Sequence, residues 1–158
     1  MSFNVRVYGV LIDRDRGVLV SDELINGSEY VKFPGGGLEY GEGTLDCLKR
    51  EFKEELDLKI EVRDHLYTTD FFQESAFRPG DQIISVYYYV VPLETINMGR
   101  VHIDPVDVPF KISPHADRES FRFIALNVFS ESLMSFPIDK VVAQKILRDQ
   151  EKLFRVES

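Results

Sequence analysis

The stretch from Tyr30 to Leu56 constrains the fold more than any other, because its pattern changes twice within a short span. Tyr30 to Phe33 is strand-like and leads into Pro34-Gly35-Gly36-Gly37, where three glycines after a proline release the backbone from ordinary steric limits. That is a loop built for unusual backbone angles or close approach. From Thr44 the apolar residues Leu45, Leu48, Phe52 and Leu56 recur at spacings of three and four, the stripe of an amphipathic helix. Thr44 is the expected N-cap, and Asp46 lies in the first turn, where the helix dipole favours an anion. The helix is expected to end near Leu56, with Asp57 turning the chain through the left-handed region.

The rest of the chain reads mainly as strands. Val5 to Ile12 is rich in apolar residues with Arg6 interposed, and it stops at the turn-forming cluster Asp13-Arg14-Asp15-Arg16-Gly17. Val18 to Val20 returns from that turn, and Ile60 to Tyr67, Gln82 to Val91 and Phe121 to Leu126 form further strands. Ile138 to Leu153 is a second amphipathic helix with Val141, Val142, Ile146, Leu147 and Leu153 as core candidates. Between Pro92 and Arg118, Pro105, Pro109 and Pro114 break any long element, so a long loop is expected with one short strand around Val106 to Ile112. A cover for the substrate and a surface excursion or homodimer contact are equal readings of that loop.

At 158 residues and 44% hydrophobic content, the chain fits one domain with one core. The balance of 19 basic against 27 acidic residues, a net charge of −8, argues against a surface that binds nucleic acid by bulk positive charge. Anionic substrates remain open to it if divalent cations stand between its carboxylates and the phosphates. The one cysteine, Cys47, rules out an intrachain disulfide and fits a reducing compartment; inside the helix it reads as a small buried apolar side chain. The first residues lack a basic then apolar leader, and the longest apolar stretch, Ile83 to Val91, is interrupted by Ser85 and far below the roughly 20 residues a membrane helix needs. A cytoplasmic protein with no membrane partner is expected.

The first helix carries a second face. Glu51 and Glu55 are four residues apart, so their side chains stand one turn above the other, and Glu54 flanks them. Like charges at that spacing cost a helix roughly a few tenths of a kcal/mol per pair, so the cluster needs water or a compensating cation. Magnesium and manganese prefer carboxylate, carbonyl and water oxygens and supply that compensation. Backbone carbonyls of the glycine loop add donors, and Glu39 and Glu42 bring carboxylates to the mouth of the helix. Arg50 can pair with Glu54 one turn on, or with a loop carboxylate, and so orient the acids.

Gly36, Glu42, Arg50, Glu51, Phe52, Glu54, Glu55 and Leu58 resemble the Nudix box, G-x5-E-x7-R-E-U-x-E-E-x-G-U with U a bulky apolar residue, at every signature position except one. The exception is Asp57, where the family has glycine. Aspartate is among the few other residues that tolerate positive φ, so the change should cost a little stability and leave the ligands in place. The resemblance implies an α/β Nudix fold, a mixed β-sheet sandwiched between α-helices, with residues 1–158 as a single hydrolase domain.

The resemblance also implies Mg2+ or Mn2+ as cofactor, with Glu51 and Glu55 as principal ligands and a carbonyl from Gly35 or Gly36 completing the sphere. Glu54 would be a further ligand, directly or through water; Arg50 would hold the glutamates in place; Glu42 would cap the loop and is a candidate ligand for a second metal. The implied reaction is attack of water on phosphorus in a nucleoside diphosphate linked to another moiety, such as a nucleotide sugar or dinucleotide, or in a nucleoside triphosphate. The base is a box glutamate in some members of the family, here Glu54 or Glu55, and a carboxylate from a later loop in others. Asp117 and Glu119 are the candidates for that later position, with a solvated acidic turn as an equal reading of each.

Phe71 to Ala76 carries neither the proline that marks ADP-ribose enzymes nor the tyrosine that marks dinucleoside polyphosphate enzymes, and the extension typical of coenzyme A pyrophosphatases is absent. The sequence therefore leaves the substrate unnamed. Phe71, Phe72, Tyr87, Tyr88 and Tyr89 either stack on a base or fill the core, the core being the commoner fate of strand aromatics. A nucleotide-sensing module without turnover is the main alternative function. Such modules lose box glutamates, which are intact here, and carry a DNA-binding extension for which the single helix after Leu126 is too little. A structural calcium ion would not require Arg50 or the glycine loop at this spacing.

Overall fold

The computed structural model describes residues 1–103 and 119–157. The chain clusters into two compact units, one of residues Met1–Ile12 and Phe33–Arg100, the other of Asp13–Lys32 and Val101–Ser158.

In the first unit a mixed sheet holds β1 (Phe3–Asp13), β4 (Gly35–Gly37), β5 (Ile60–Thr68) and β6 (Gln82–Pro92), with α1 (Thr44–Leu56) packed against it. β1 runs parallel to β6, with Tyr8 opposite Tyr87, and antiparallel to β4, with Arg6, Val7 and Tyr8 opposite Gly37, Gly36 and Gly35. β5 pairs antiparallel with β6, with irregular register on either side of His65. One face of β1 receives α1: a Cβ added to Gly9 would lie 2.7 Å from the Phe52 ring. On the other face Tyr8 stacks on Tyr87 with ring centroids 5.2 Å apart, and Phe33 meets Tyr87 edge-on at 6.0 Å.

The helix begins and ends close to its expected limits, with two differences. Its N-cap is Gly43 and makes no side-chain capping bond; Thr44 is already helical, and its hydroxyl is shared with the Tyr88 hydroxyl at 2.9 Å. The expected Thr44 cap fails because that hydroxyl has a tertiary partner. The buried stripe is Cys47, Leu48, Phe52 and Leu56, while Leu45 is 46% exposed. Cys47 takes the place expected for Leu45, because the sheet meets the helix on the side where Cys47 and Leu48 stand together. Asp57 terminates the helix in the left-handed conformation, φ 49°, as expected, and its N–H bonds the Lys53 carbonyl at 3.1 Å.

The second unit is another mixed sheet, of β2 (Gly17–Ile25), β3 (Ser28–Lys32), β7 (Val101–Ile103) and β8 (Glu119–Ile124), with α2 (Pro137–Glu157). β2 pairs antiparallel with both β3 and β8, and β7 runs parallel to β8. β2 runs well past Val20, because Asn26 and Gly27, at φ 50° and 80°, form the tight turn that joins it to β3. α2 starts on Pro137, which has no N–H to leave unsatisfied in a first helical turn. Val142 and Ile146 are buried as expected. The strand expected around Val106 to Ile112 lies outside the described residues, but β7 is a strand within the segment read as loop. β8 starts two residues before its expected limit and stops at Ile124. Among the described residues no helix is long and apolar enough to cross a membrane, which says nothing of membrane strands.

Candidate active site

The site grows from the contact between β4 and the exposed side of α1. A Cβ added to Gly36 would lie 2.5 Å from Cδ and Oε1 of Glu51, so only glycine lets that carboxylate rest against the strand. Gly35, φ 148°, would place a Cβ 2.1 Å from the Val7 carbonyl oxygen. The glycine run is thus required for two reasons: backbone against backbone at Gly35, and carboxylate against backbone at Gly36.

Arg50 gathers the acids. Its Nε and Nη2 donate to the two oxygens of Glu42 at 3.0 and 2.7 Å, a forked pairing, while Nη1 donates to Glu51 Oε1 at 3.0 Å and Glu54 Oε2 at 3.2 Å. Nη1 lies 3.7 Å from Glu39 Oε1, and Nη2 reaches the Gly37 carbonyl at 3.2 Å. Glu42 also accepts the Glu39 N–H at 2.9 Å, which closes the loop before the helix. The Arg50 guanidinium, followed by the Glu39 N–H, holds the Glu42 carboxyl down to a pKa of about 2. In turn Glu42 and then Glu51 raise Arg50 above its ordinary value. Cys47 donates its thiol to the Gly37 carbonyl at 3.6 Å, and burial, followed by Glu42, pushes it up to about 12. A thiol so held stays protonated near neutral pH, which disfavours it as a nucleophile.

The structure therefore brings Gly36, Glu42, Arg50, Glu51 and Glu54 together, with Glu51 sheltered and Glu54 58% exposed. Glu55 is half-buried one turn beyond Glu51, and its backbone carbonyl faces Arg100 Nη1 at 3.5 Å. Glu119 belongs to the second unit, on β8, where it accepts the Ser21 hydroxyl at 2.6 Å. Asp117 lies outside the described residues. Sequence reasoning missed Gly37, whose carbonyl receives both Arg50 and Cys47; the evenly spaced run of three glycines offered no reason to single it out. It also passed over Arg6 beyond noting it on an apolar strand.

Among the described residues no three His, Cys, Asp or Glu side chains converge at metal-ligand spacing. The carboxylates are turned instead toward Arg50, which lies among them. The donor chemistry nevertheless suits a hard divalent cation. Carboxylate and carbonyl oxygens meet beside a strand whose missing Cβ admits Glu51. Of the aromatic residues considered for base stacking, Tyr87 is core, Tyr88 is tied to Thr44, and Phe72 is 71% exposed.

The model of the NUDIX domain matches residues 3–125, and the chain belongs to that family; it is a Nudix hydrolase, of a class with general pyrophosphohydrolase activity. Solved structures similar to it share the fold. The E. coli ORF135 protein is 16% identical over 94% of this chain and 91% of that chain, with a TM-score of 0.66. The MutT protein from Methanosarcina mazei Go1 is 14% identical over 94% and 95%, with a TM-score of 0.61. The DNA mismatch repair protein MutT, a family Nudix hydrolase, from methicillin-resistant Staphylococcus aureus 252 is 20% identical over 93% and 97%, with a TM-score of 0.59. No curated protein matches the sequence significantly.

Proposed function

We propose that the chain hydrolyses a phosphoanhydride bond in a nucleoside diphosphate linked to another moiety, or in a nucleoside triphosphate, with Mg2+ or Mn2+ held by Glu51 and Glu55. The observation that carries this reading is the Glu51 carboxylate seated against Gly36, 2.5 Å from where a Cβ would be. Paired with Arg50 and seated against the strand backbone, that carboxylate stands where a cation sharing oxygens with the strand and the helix would bind. A divalent ion bound there would neutralise the bridging phosphates and lower the pKa of an attacking water.

Arg50 sets the acids' positions: its fork fixes Glu42, and Nη1 steers Glu51 and Glu54. Glu42 closes the loop and is the candidate ligand for a second ion. Gly35 and Gly36 are the strand residues whose carbonyls would complete the coordination. Glu54, the more exposed acid, and Glu55 are candidate bases within the box; Glu119 is the candidate outside it. We read the whole chain as one hydrolase domain, since the family match takes in residues of both units. A reducing, cytoplasmic setting accords with its single cysteine.

The test is a phosphate-release screen of nucleotide sugars, dinucleotides and nucleoside triphosphates with magnesium or manganese, on the wild type and on Glu55→Gln, Glu54→Gln and Glu119→Gln. Wild-type turnover that needs the metal and falls by roughly a hundredfold or more in Glu55→Gln is expected. Undiminished turnover in Glu55→Gln would overturn the site assignment. Absence of turnover on every substrate would favour a binding module. Among Glu54, Glu55 and Glu119, the base is the one whose glutamine variant loses kcat with KM and metal affinity unchanged.

A further inference from the structure

β4 is three glycines long, so each of its faces is defined by what stands against it. Successive residues of a strand point to opposite faces. On the face of Gly36 stands the Glu51 carboxylate; on the face of Gly37, an added Cβ would meet Nη1 of Arg6 at 3.8 Å. Arg6 is the register partner of Gly37, and the Leu38 N–H bonds the Val5 carbonyl at 2.9 Å, which fixes that pairing at its edge.

The guanidinium is aimed. Its Nε donates to the Tyr8 hydroxyl at 2.5 Å, and its Cζ lies 5.6 Å from the Tyr8 ring centroid. Tyr8 cannot swing away, being buried and stacked on Tyr87. Residues 6 and 8 share a face of β1, so the strand itself keeps the hydroxyl beside the arginine. Holding a half-buried arginine against a buried tyrosine costs desolvation. It is an apt way to present a planar cation to phosphate oxygens, with much of its side-chain freedom already lost.

We propose that Arg6, held by Tyr8, binds a phosphate oxygen of the substrate on the face of β4 opposite Glu51, and so positions the phosphate chain across the glycine strand. This rests on the phosphoanhydride reading above. The acids, through a cation they would hold, would serve one part of the phosphate chain, and Arg6 the charge on the other side of β4. Arg6 is a positioning residue whose contact is made in ground state and transition state alike, so its loss falls on KM rather than kcat.

Two measurements test it on the full chain: steady-state kinetics on the substrate that the screen returns, and calorimetric titration with inorganic pyrophosphate in magnesium. Arg6→Gln is expected to raise KM and weaken pyrophosphate binding by roughly ten- to a hundredfold, with kcat within about threefold of wild type. Arg6→Lys should recover part of the loss, and Tyr8→Phe should weaken binding by a few-fold, as expected when only the aim is relaxed. Unchanged KM and pyrophosphate affinity in Arg6→Gln, or a loss confined to kcat, overturns the proposal. Should Arg6→Gln fail to fold, Arg6→Lys and Tyr8→Phe decide, and wild-type values in both overturn it. A wild type that turns over no substrate yet binds pyrophosphate through Arg6 sinks the catalytic reading and leaves this one standing; a wild type that does not bind pyrophosphate sinks the assignment of Arg6.

Discussion

The Glu51 carboxylate occupies the space that a β-carbon on Gly36 would need, 2.5 Å from its position. The atoms in conflict are the far end of a flexible side chain, so Gly36→Ala can be accommodated by moving the carboxylate rather than the backbone. Thermal stability should stay within about 1 kcal/mol of wild type, while activity falls by roughly a hundredfold, the usual consequence of displacing a reacting group by about 1 Å. Chemical denaturation and steady-state rates on one preparation separate the two effects. An active Gly36→Ala enzyme would mean that Glu51 need not rest against β4.

The neighbouring glycine should behave in the opposite way. At Gly35 the conflict is with backbone, 2.1 Å from the Val7 carbonyl oxygen and 2.7 Å from the Tyr8 Cα, at a φ of 148°. Nothing there can give without parting β4 from β1. Gly35→Ala should therefore cost about 3 kcal/mol or more in urea unfolding. A variant with the wild-type unfolding midpoint would show that the glycine run is needed at Gly36 alone.

Asp57 holds the left-handed position that ends α1, at φ 49°, and its carboxylate accepts the Lys53 ammonium at 2.6 Å. That contact lowers the Asp57 pKa and raises that of Lys53. The pair is exposed and i,i+4, so its worth is small and screened by salt, whereas glycine removes the steric cost of positive φ. Asp57→Gly is expected to raise the thermal midpoint by roughly 2–4 °C, and more at high salt than at low. A lowered midpoint at high salt would show that aspartate does more here than tolerate the turn.

What could be read in advance was whatever depended on local chemistry. The positive φ at Asp57, the span of α1 and the pairing of Arg50 with the acids all follow from residue types at fixed spacing. What could not be read depended on a distant partner. Thr44 looked like an N-cap until Tyr88 on β6 engaged its hydroxyl, and Leu45 looked apolar enough to be buried until the sheet met the helix nearer Cys47. The contacts of Arg6 belong to the same class. Its place beside Gly37 comes from the pairing of β1 with β4, and no periodicity in either segment sets that register.

Acid should probe the Arg50 cluster. The Glu42 carboxyl is lowered from 4.5 to about 2 in the folded chain, chiefly by Arg50. A depressed folded value contributes stability that is present above the unfolded pKa and lost as pH falls through the folded one. Wild type should thus outlast Glu42→Gln in urea at neutral pH, with the difference shrinking between pH 4.5 and about 2. A difference that stayed constant across that window would indicate that the fork seen between Arg50 and Glu42 does not hold the carboxylate's charge.

Alkali should probe Cys47 with the reverse sign. Its thiol is raised from 9.0 to about 12, by burial first and Glu42 second. The unfolded thiol ionises near 9 while the folded one resists, so ionisation draws the chain toward the unfolded state and stability declines as pH climbs from 9.0 toward about 12. Cys47→Ala lacks that slope, and the wild type minus variant difference isolates it from tyrosines and lysines that titrate in both. The same burial should keep Cys47 unreactive toward iodoacetamide at pH 8 until urea opens the helix packing, since the thiolate is the nucleophile. Rapid alkylation of the native protein would place the thiol outside the packed side of α1, and with it the Gly37 carbonyl to which it donates at 3.6 Å.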